Sequence, residues 1–327
     1  MKSQYELDHE RDYQKHEPPP PSPFLPGTRI QYAWDSTSLG WLKECPRKYQ
    51  YSMIEGWRVK QPSIHLHFGL LYHAALERYD RLRTAGLSHD ASLHDVVRGA
   101  MCESWPWDFE PLERDTKNRF TLIRSIVWYL EEFANDPCET VILANGKPAV
   151  ELSFKMELNY GPSGELGGQP YVLCGHLDRV VTLNGGTYVM DRKTTASALG
   201  AYYFDQYGPD NQMSLYGLAA KVVYSTPIRG VIIDAAQVAV GFTRYARGFT
   251  YRSDAQLVEW LADTRRWLGL AAQYATDGYW PMNDKSCHHY GGCPFRRVCG
   301  KSPEVRQMFL ESDFTQAQRW NPLETRG

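Results

Sequence analysis

The sequence has no run of about 20 apolar residues, the length a helix needs to cross a bilayer. Its longest apolar stretch, Val231 to Phe242, is broken by Asp234, so no membrane span is expected. It has no surplus of either charge: 36 Lys and Arg stand against 38 Asp and Glu, a formal net charge of -2. Without a global basic field, any polyanion must be gripped locally. Met1 to Glu17 is densely charged and lacks the apolar core of a secretory signal, and a cytoplasmic location is expected. Internal repeats are absent. What is present is ordinary globular material, 327 residues with 43% apolar and 23% charged side chains. That is enough for one large domain or two modest ones with a real core. Seven cysteines in a reducing compartment argue for ligation or plain burial over a disulfide network.

Residues 1–28, with Glu17 to Thr28 reading EPPPPSPFLPGT, suggest a disordered Pro-rich arm in extended geometry. Asp35-Ser36-Thr37 can cap a helix carrying Leu39, Leu42 and Cys45. A helical period over about 66–83 presents Leu70, Leu71, Ala74, Ala75 and Leu82 before Gly86 stops it. Further helices at about 92–104 and 115–133 make a helical insertion over about 87–146. The period then changes to two, with Val150, Leu152, Phe154, Met156 and Leu158 alternating with polar residues, a strand with one buried face. Strands at 171–183 and 187–193 are joined by Asn184-Gly185-Gly186, a hairpin signal. A helix at 211–224, a strand at 230–240 and a helix at 255–276 complete an α/β order, a mixed sheet flanked by helices. A domain over 29–300 and a C-terminal tail over 301–327 are expected.

The hairpin carries the most informative residues. Asp191 and Lys193 are two apart on a strand and project from one face. With Asn184-Gly185 as the turn, Asp178 stands opposite Asp191; with Gly185-Gly186 it faces Lys193. Either register gathers the three groups, with opposite Cβ atoms about 5 Å apart. Two adjacent carboxylates repel, and a hard cation such as Mg2+ or Mn2+ resolves the repulsion. Such an ion can polarise a phosphodiester, lower the pKa of a bound water and stabilise the developing oxyanion, while the lysine orients the water or neutralises charge.

Gly175-x-x-Asp178, then Asp191-x-Lys193 after 12 intervening residues, and Gln212-x-x-x-Tyr216 resemble the motifs of the PD-(D/E)XK nucleases, RecB-like branch. His73, in Phe68-Gly-Leu-Leu-Tyr-His73-Ala-Ala-Leu-Glu77, is similar to that branch's upstream helix motif, and the likeness spans about residues 36–300. Leu177 stands where the family name has proline. The resemblance implies a restriction-endonuclease-like fold and a divalent-metal-dependent deoxyribonuclease, an exonuclease acting on DNA ends. The alternatives are a structure-selective endonuclease or a catalytically silent DNA-binding scaffold subunit. It implies His73, Asp178, Asp191 and the Arg192 carbonyl as metal ligands and Lys193 as the catalytic lysine. Gln212 and Tyr216 would support the site and contact DNA, and Glu151 would assist as an acidic group behind the ligands. DNA with free ends or single-stranded character is the implied substrate, with recombination or CRISPR-type proteins as partners.

Near the C-terminus, Cys287, Cys293 and Cys299 lie within 13 positions. Cys45 shares a Cys-Pro dipeptide with Cys293 and is the expected fourth ligand. A four-cysteine cluster would join the N- and C-terminal segments, with binding energy adding to folding energy. Four thiolates suit Zn2+ or an iron-sulfur cluster, and His288 or His289 would allow a Cys3His zinc site. The resemblance, which extends to CRISPR-adaptation and AddB-type nucleases, implies a 4Fe-4S cluster over the segment 287–299. Cys102, Cys138 and Cys174 are expected as buried free thiols. Arg47, Lys48, Tyr49, Tyr51, Arg296 and Arg297 are candidates to track phosphates and stack bases.

Overall fold

The computed structural model describes residues 21–61, 63–105, 116–162, 168–223 and 227–324. Strand β1 (Ala33–Trp34) leads into helix α1 (Ser36–Glu44). Asp35 caps that helix by accepting from the Ser38 backbone N–H at 2.8 Å, and its own N–H donates to the Ser38 hydroxyl at 3.1 Å. This reciprocal arrangement satisfies two otherwise orphaned donors. After the short β2 (Trp57–Val59) come α2 (Ile64–Thr84), near the helix expected over 66–83, and α3 (His89–Glu103) and α4 (Arg119–Glu132), within the stretch 87–146 expected to be helical; Asp115 lies outside the described residues. Phe68, Tyr72, Leu76, Val96, Leu122 and Ile126 bind the three helices into one apolar cluster.

The sheet follows: β3 (Glu139–Thr140), β4 (Val150–Glu157), β5 (Val172–Leu183) and β6 (Gly186–Thr195). The crossover helix α5 (Asn211–Val223) leads to β7 (Ile228–Val238) and β8 (Thr243–Thr250); Tyr224, expected to end that helix, lies outside the described residues. The strand order is β1-β5-β6-β7-β8, with β3 and β4 also paired to β5. β1 with β5 and β6 with β7 run parallel and the other pairs antiparallel, so the expected mixed α/β sheet with flanking helices is what forms. Val231, Ile233 and Ala235 pack toward α5 and α6 (Asp254–Asp277), while Ala236 and Val238 join the α2–α4 cluster. A strand covered on both faces is apolar on both, which explains why its apolar reading from Val231 to Val238 is interrupted only by Asp234 and Gln237.

The structure departs from expectation at both ends and at one edge. Phe24, within the supposed free arm, is buried against the core and bridges to Gln31; residues 1–20 lie outside the described residues. Part of the expected tail folds into α7 (Arg306–Asp313) and β9 (Phe314–Gln316), which pairs antiparallel with β2. Strand β8 reads Thr-Arg-Tyr-Ala-Arg-Gly-Phe-Thr, without the alternation of apolar and polar residues that marks a strand in sequence, and was not expected. No helix among the described residues is long and apolar enough to cross a membrane.

Candidate active site

Asn184 (φ 47°) and Gly185 (φ 70°) both adopt left-handed backbone, the requirement of a type I′ hairpin turn. The ladder runs from Leu183↔Gly186 to Arg179↔Met190, which selects the register with Asp178 opposite Asp191. There the strands part. β6 continues beside β7 to Thr195, while the earlier half of β5 pairs with β4 and β1. Asp178 and Asp191 therefore stand at the opening of a fork, reachable by side chains from helices on both faces of the sheet.

From one side α2 brings His73, whose Nδ1 lies 3.4 Å from Asp178 Oδ2. The same carboxylate oxygen accepts the Arg192 backbone N–H at 2.9 Å, and the His73 ring hydrogen-bonds the Arg192 backbone. From the other side α5 brings Gln212 and Tyr216. Lys193 Nζ donates to Gln212 Oε1 at 2.9 Å, and Gln212 Nε2 donates to the Tyr216 hydroxyl at 2.9 Å. Lys193 Nζ also lies 2.8 Å from Asp191 Oδ2. Every residue expected at the site is thus drawn into one connected group.

Electrostatics mark Asp191 as its centre. Its side chain is 1% exposed, Oδ2 is ion-paired with Lys193, and Oδ1 has no hydrogen-bond partner. Burial, opposed by Lys193 and reinforced by Asp178, pushes its pKa up to about 7. Burial lowers the His73 pKa against the pull of Asp178, so the ring favours the neutral form that ligates metals. Burial disfavours the charged Lys193, but Asp191 and Asp178 outweigh it and its pKa is raised. Two carboxylates, an imidazole and a peptide carbonyl form a mixed O/N donor set suited to Mg2+ or Mn2+. Asp191 Oδ1, buried and without a hydrogen-bond partner, is the observation that fits such an ion, because a buried unpaired acceptor is costly without one. Among the described residues no set of three His, Cys, Asp or Glu side chains closes tightly enough to hold an ion as it stands.

Glu151 pairs in register with the same turn of β5, between Val150↔Arg179 and Leu152↔Leu177, and has φ of 49°. A non-glycine residue there is unusual. The reversal re-aims the strand, since Ala149 and Phe154 both pack into the α5-side core despite opposite parity. The Glu151 charge is among those that raise the Tyr216 pKa, behind burial, Asp178 and Asp191.

Of the four cysteines expected to act together, Cys293 and Cys299 border one apolar cluster, and Cys45 meets the segment that leads into Cys287. Cys45 Sγ accepts the Asn283 N–H at 3.4 Å, while Asn283 Nδ2 and the Ser286 hydroxyl both donate to the Glu44 carbonyl, at 2.8 and 2.6 Å. Cys293 N–H donates to the Cys287 carbonyl at 3.1 Å. Burial raises the Cys293 thiol, with Cys45 and Cys287 adding to the shift. Burial also pushes Cys299 up to about 11, where Arg47 opposes and Cys293 and Cys45 add. All seven cysteines are free thiols.

Several expected surface residues are placed elsewhere. Tyr49 and Tyr51 are buried, and Tyr49 stacks on Trp34 at 5.4 Å. Arg47 is buried with its Nε donating to the Trp280 carbonyl at 2.7 Å, and Lys48 pairs with Glu44 at 2.7 Å. Helical periodicity turns these residues inward once Trp280 packs over them. Only Arg296 and Arg297 of that set are exposed. Cys102 is exposed, correcting its expected burial, because α3 presents Val96 and Ala100 inward instead. Cys138 and Cys174 are buried as expected.

A family model described as the PD-(D/E)XK nuclease superfamily matches residues 36–300, and the chain belongs to that superfamily. No curated protein matches it. Among solved structures it resembles SSO0001, at 14% identity over 80% of this chain and 82% of that one, with a TM-score of 0.32. It also resembles a protein of Eubacterium rectale named as a candidate exonuclease, at 11% identity over 85% of this chain and 92% of that one, with a TM-score of 0.46. At such scores neither likeness carries a functional conclusion.

Proposed function

We propose that the protein is a divalent-metal-dependent DNA nuclease, an exonuclease acting at DNA ends, with a 4Fe-4S cluster clamping its termini together. The observation that carries the reading is the buried Asp191 carboxylate, with Oδ2 on Lys193 and Oδ1 without a partner, close to Asp178 and His73. His73, Asp178, Asp191 and the Arg192 carbonyl would hold Mg2+ or Mn2+. When bound, such an ion supplies charge to the scissile phosphate and acidifies water. Lys193, kept protonated by Asp191 and Asp178, presents a fixed positive charge to the developing oxyanion. Gln212 restrains that ammonium, and the Tyr216 hydroxyl restrains Gln212. Arg296 and Arg297 offer exposed charge for a DNA backbone.

The cluster reading rests on Cys45 meeting Asn283, four residues before Cys287, and on Cys293 and Cys299 bordering one apolar cluster.

The test uses end-labelled linear and closed circular DNA, single- and double-stranded, with each divalent ion. The expected result is Mg2+- or Mn2+-dependent release from linear ends with circles resistant. Asp191→Ala and Lys193→Ala are each expected to abolish cleavage while the circular-dichroism spectrum is retained. Unchanged digestion by both variants overturns the assignment, and cut circles replace exonuclease by endonuclease.

A further inference from the structure

The face of the sheet opposite α5 holds a buried array of six charges. Arg192 on β6 stands abreast of Asp234 on β7, and Asp234 stands abreast of Arg247 on β8. Asp80, on α2, accepts from Arg192 Nη2 at 2.7 Å and lies 3.6 Å from Arg179 Nε. Asp136 accepts from both Arg247 Nη atoms at 2.6 and 2.8 Å and lies 3.5 Å from Arg179 Nη1. Arg247 Nε donates to Asp234 at 3.2 Å, and the Tyr129 hydroxyl donates to the same carboxylate. Three carboxylates balance three guanidiniums.

Such an array is a poor way to stabilise a core, because desolvation consumes most of the Coulombic gain and apolar side chains serve as well or better. Its position suggests another role. Arg192 lies between Asp191 and Lys193, so its side chain leaves the strand on the opposite face. Its backbone N–H meanwhile donates to Asp178, and its backbone holds His73. Asp80 is two turns along α2 from His73, on the same helical face. One ion pair under the sheet therefore ties the helix bearing His73 to the strand bearing Asp191.

We propose that Asp80 is a positioning residue which, by pinning the Arg192 side chain beneath the sheet, sets the Arg192 peptide, His73, Asp178 and Asp191 in register to receive the divalent ion. The inference rests on the nuclease reading above. Replacing the pair, as Asp80→Leu/Arg192→Met, leaves Arg179, Asp136, Arg247 and Asp234 as a balanced set, and apolar replacement of a buried pair is near neutral for stability.

Mn2+ titrated into the full chain, followed by calorimetry and by the loss of its free-ion EPR signal, is expected to bind the double variant about 10- to 100-fold more weakly. The melting temperature is expected to be retained, and kcat to fall more than KM rises. Arg192→Lys keeps the charge without the rigid fork and is expected to weaken Mn2+ binding as well; it carries the comparison should the double variant not fold. Wild-type Mn2+ affinity in the folded variants overturns the positioning role alone. Absence of Mn2+ binding by the unaltered chain overturns the nuclease reading and this inference with it.

Discussion

Lys193 and Lys117 both bury their ammonium groups beside β6, with opposite outcomes. For Lys193 the carboxylates of Asp191 and Asp178 overcome desolvation. Lys117 donates to the Thr194 hydroxyl at 3.0 Å and lies over the Phe68 ring, and burial pushes its pKa down to about 8 from 10.5. Below pH 8 the lysine is protonated whether folded or unfolded, and the fold bears the full desolvation penalty. Between pH 8 and 10.5 the unfolded chain holds the proton more tightly than the folded one, so this residue's contribution to stability rises with pH. Lys117→Met is expected to be more stable than wild type at pH 7, by up to about 3 kcal/mol. The advantage should disappear by about pH 10.5, as read from urea midpoints across that range; a constant difference would refute the assignment. Asp178, Asp191 and Lys193 were visible in the sequence because a strand period of two puts chemically paired groups on one face. Asp80, Asp136 and Arg247 were not, since their partners lie in other elements. The visible trace of their array was Asp234, a carboxylate inside an apolar strand.

At the level of elements, the two-residue turn decides the candidate site, because a shift of one residue would place Asp178 against Lys193 instead of Asp191. The dipeptide Asn184-Gly185 specifies a type I′ turn, yet Gly185-Gly186 could do so too, and only the ladder on both sides selects between them. Gly185 has φ of 70° with open space where a Cβ would stand, whereas Gly56, with φ of 77°, would place a Cβ 2.7 Å from the Ala317 carbonyl oxygen. Gly185→Ala is expected to cost about 1–2 kcal/mol of backbone strain. Gly56→Ala should cost measurably more, since the clash is with backbone at the β2–β9 junction. Chemical denaturation of the two variants gives the comparison, and equal losses would show that the junction yields. Glu151 was legible as an acidic residue on an alternating strand, but its left-handed backbone was not.

Over the whole molecule, segments far apart in sequence meet. Phe295 stacks on Phe314 at 4.7 Å and Tyr51 packs on Phe295 at 5.2 Å, so the residues around Cys45, the cysteine-rich segment and β9 share one satellite core with Cys293 and Cys299 at its edge. A metal cluster bound there would close a loop spanning most of the chain, where binding energy counts directly as folding energy. Cys293→Ala is expected to yield protein of lower solubility without the brown charge-transfer absorbance of an iron-sulfur centre. A colourless wild type with stoichiometric zinc would replace the cluster by a zinc clamp, and a soluble, still-coloured variant would remove Cys293 from the ligand set.

The order of strands and helices, the hairpin and the spacing of its acids follow from local physics: strand and helix periods, turn chemistry and capping act over a few residues and are written in the chain. Superfamily membership agrees with that order. What the chain could not reveal by itself is which face of the early basic segment is buried, how the fork between β5 and β6 admits side chains from both layers, and how six charges neutralise one another under the sheet. Those depend on which distant surfaces exclude water from one another, and only the assembled fold sets that.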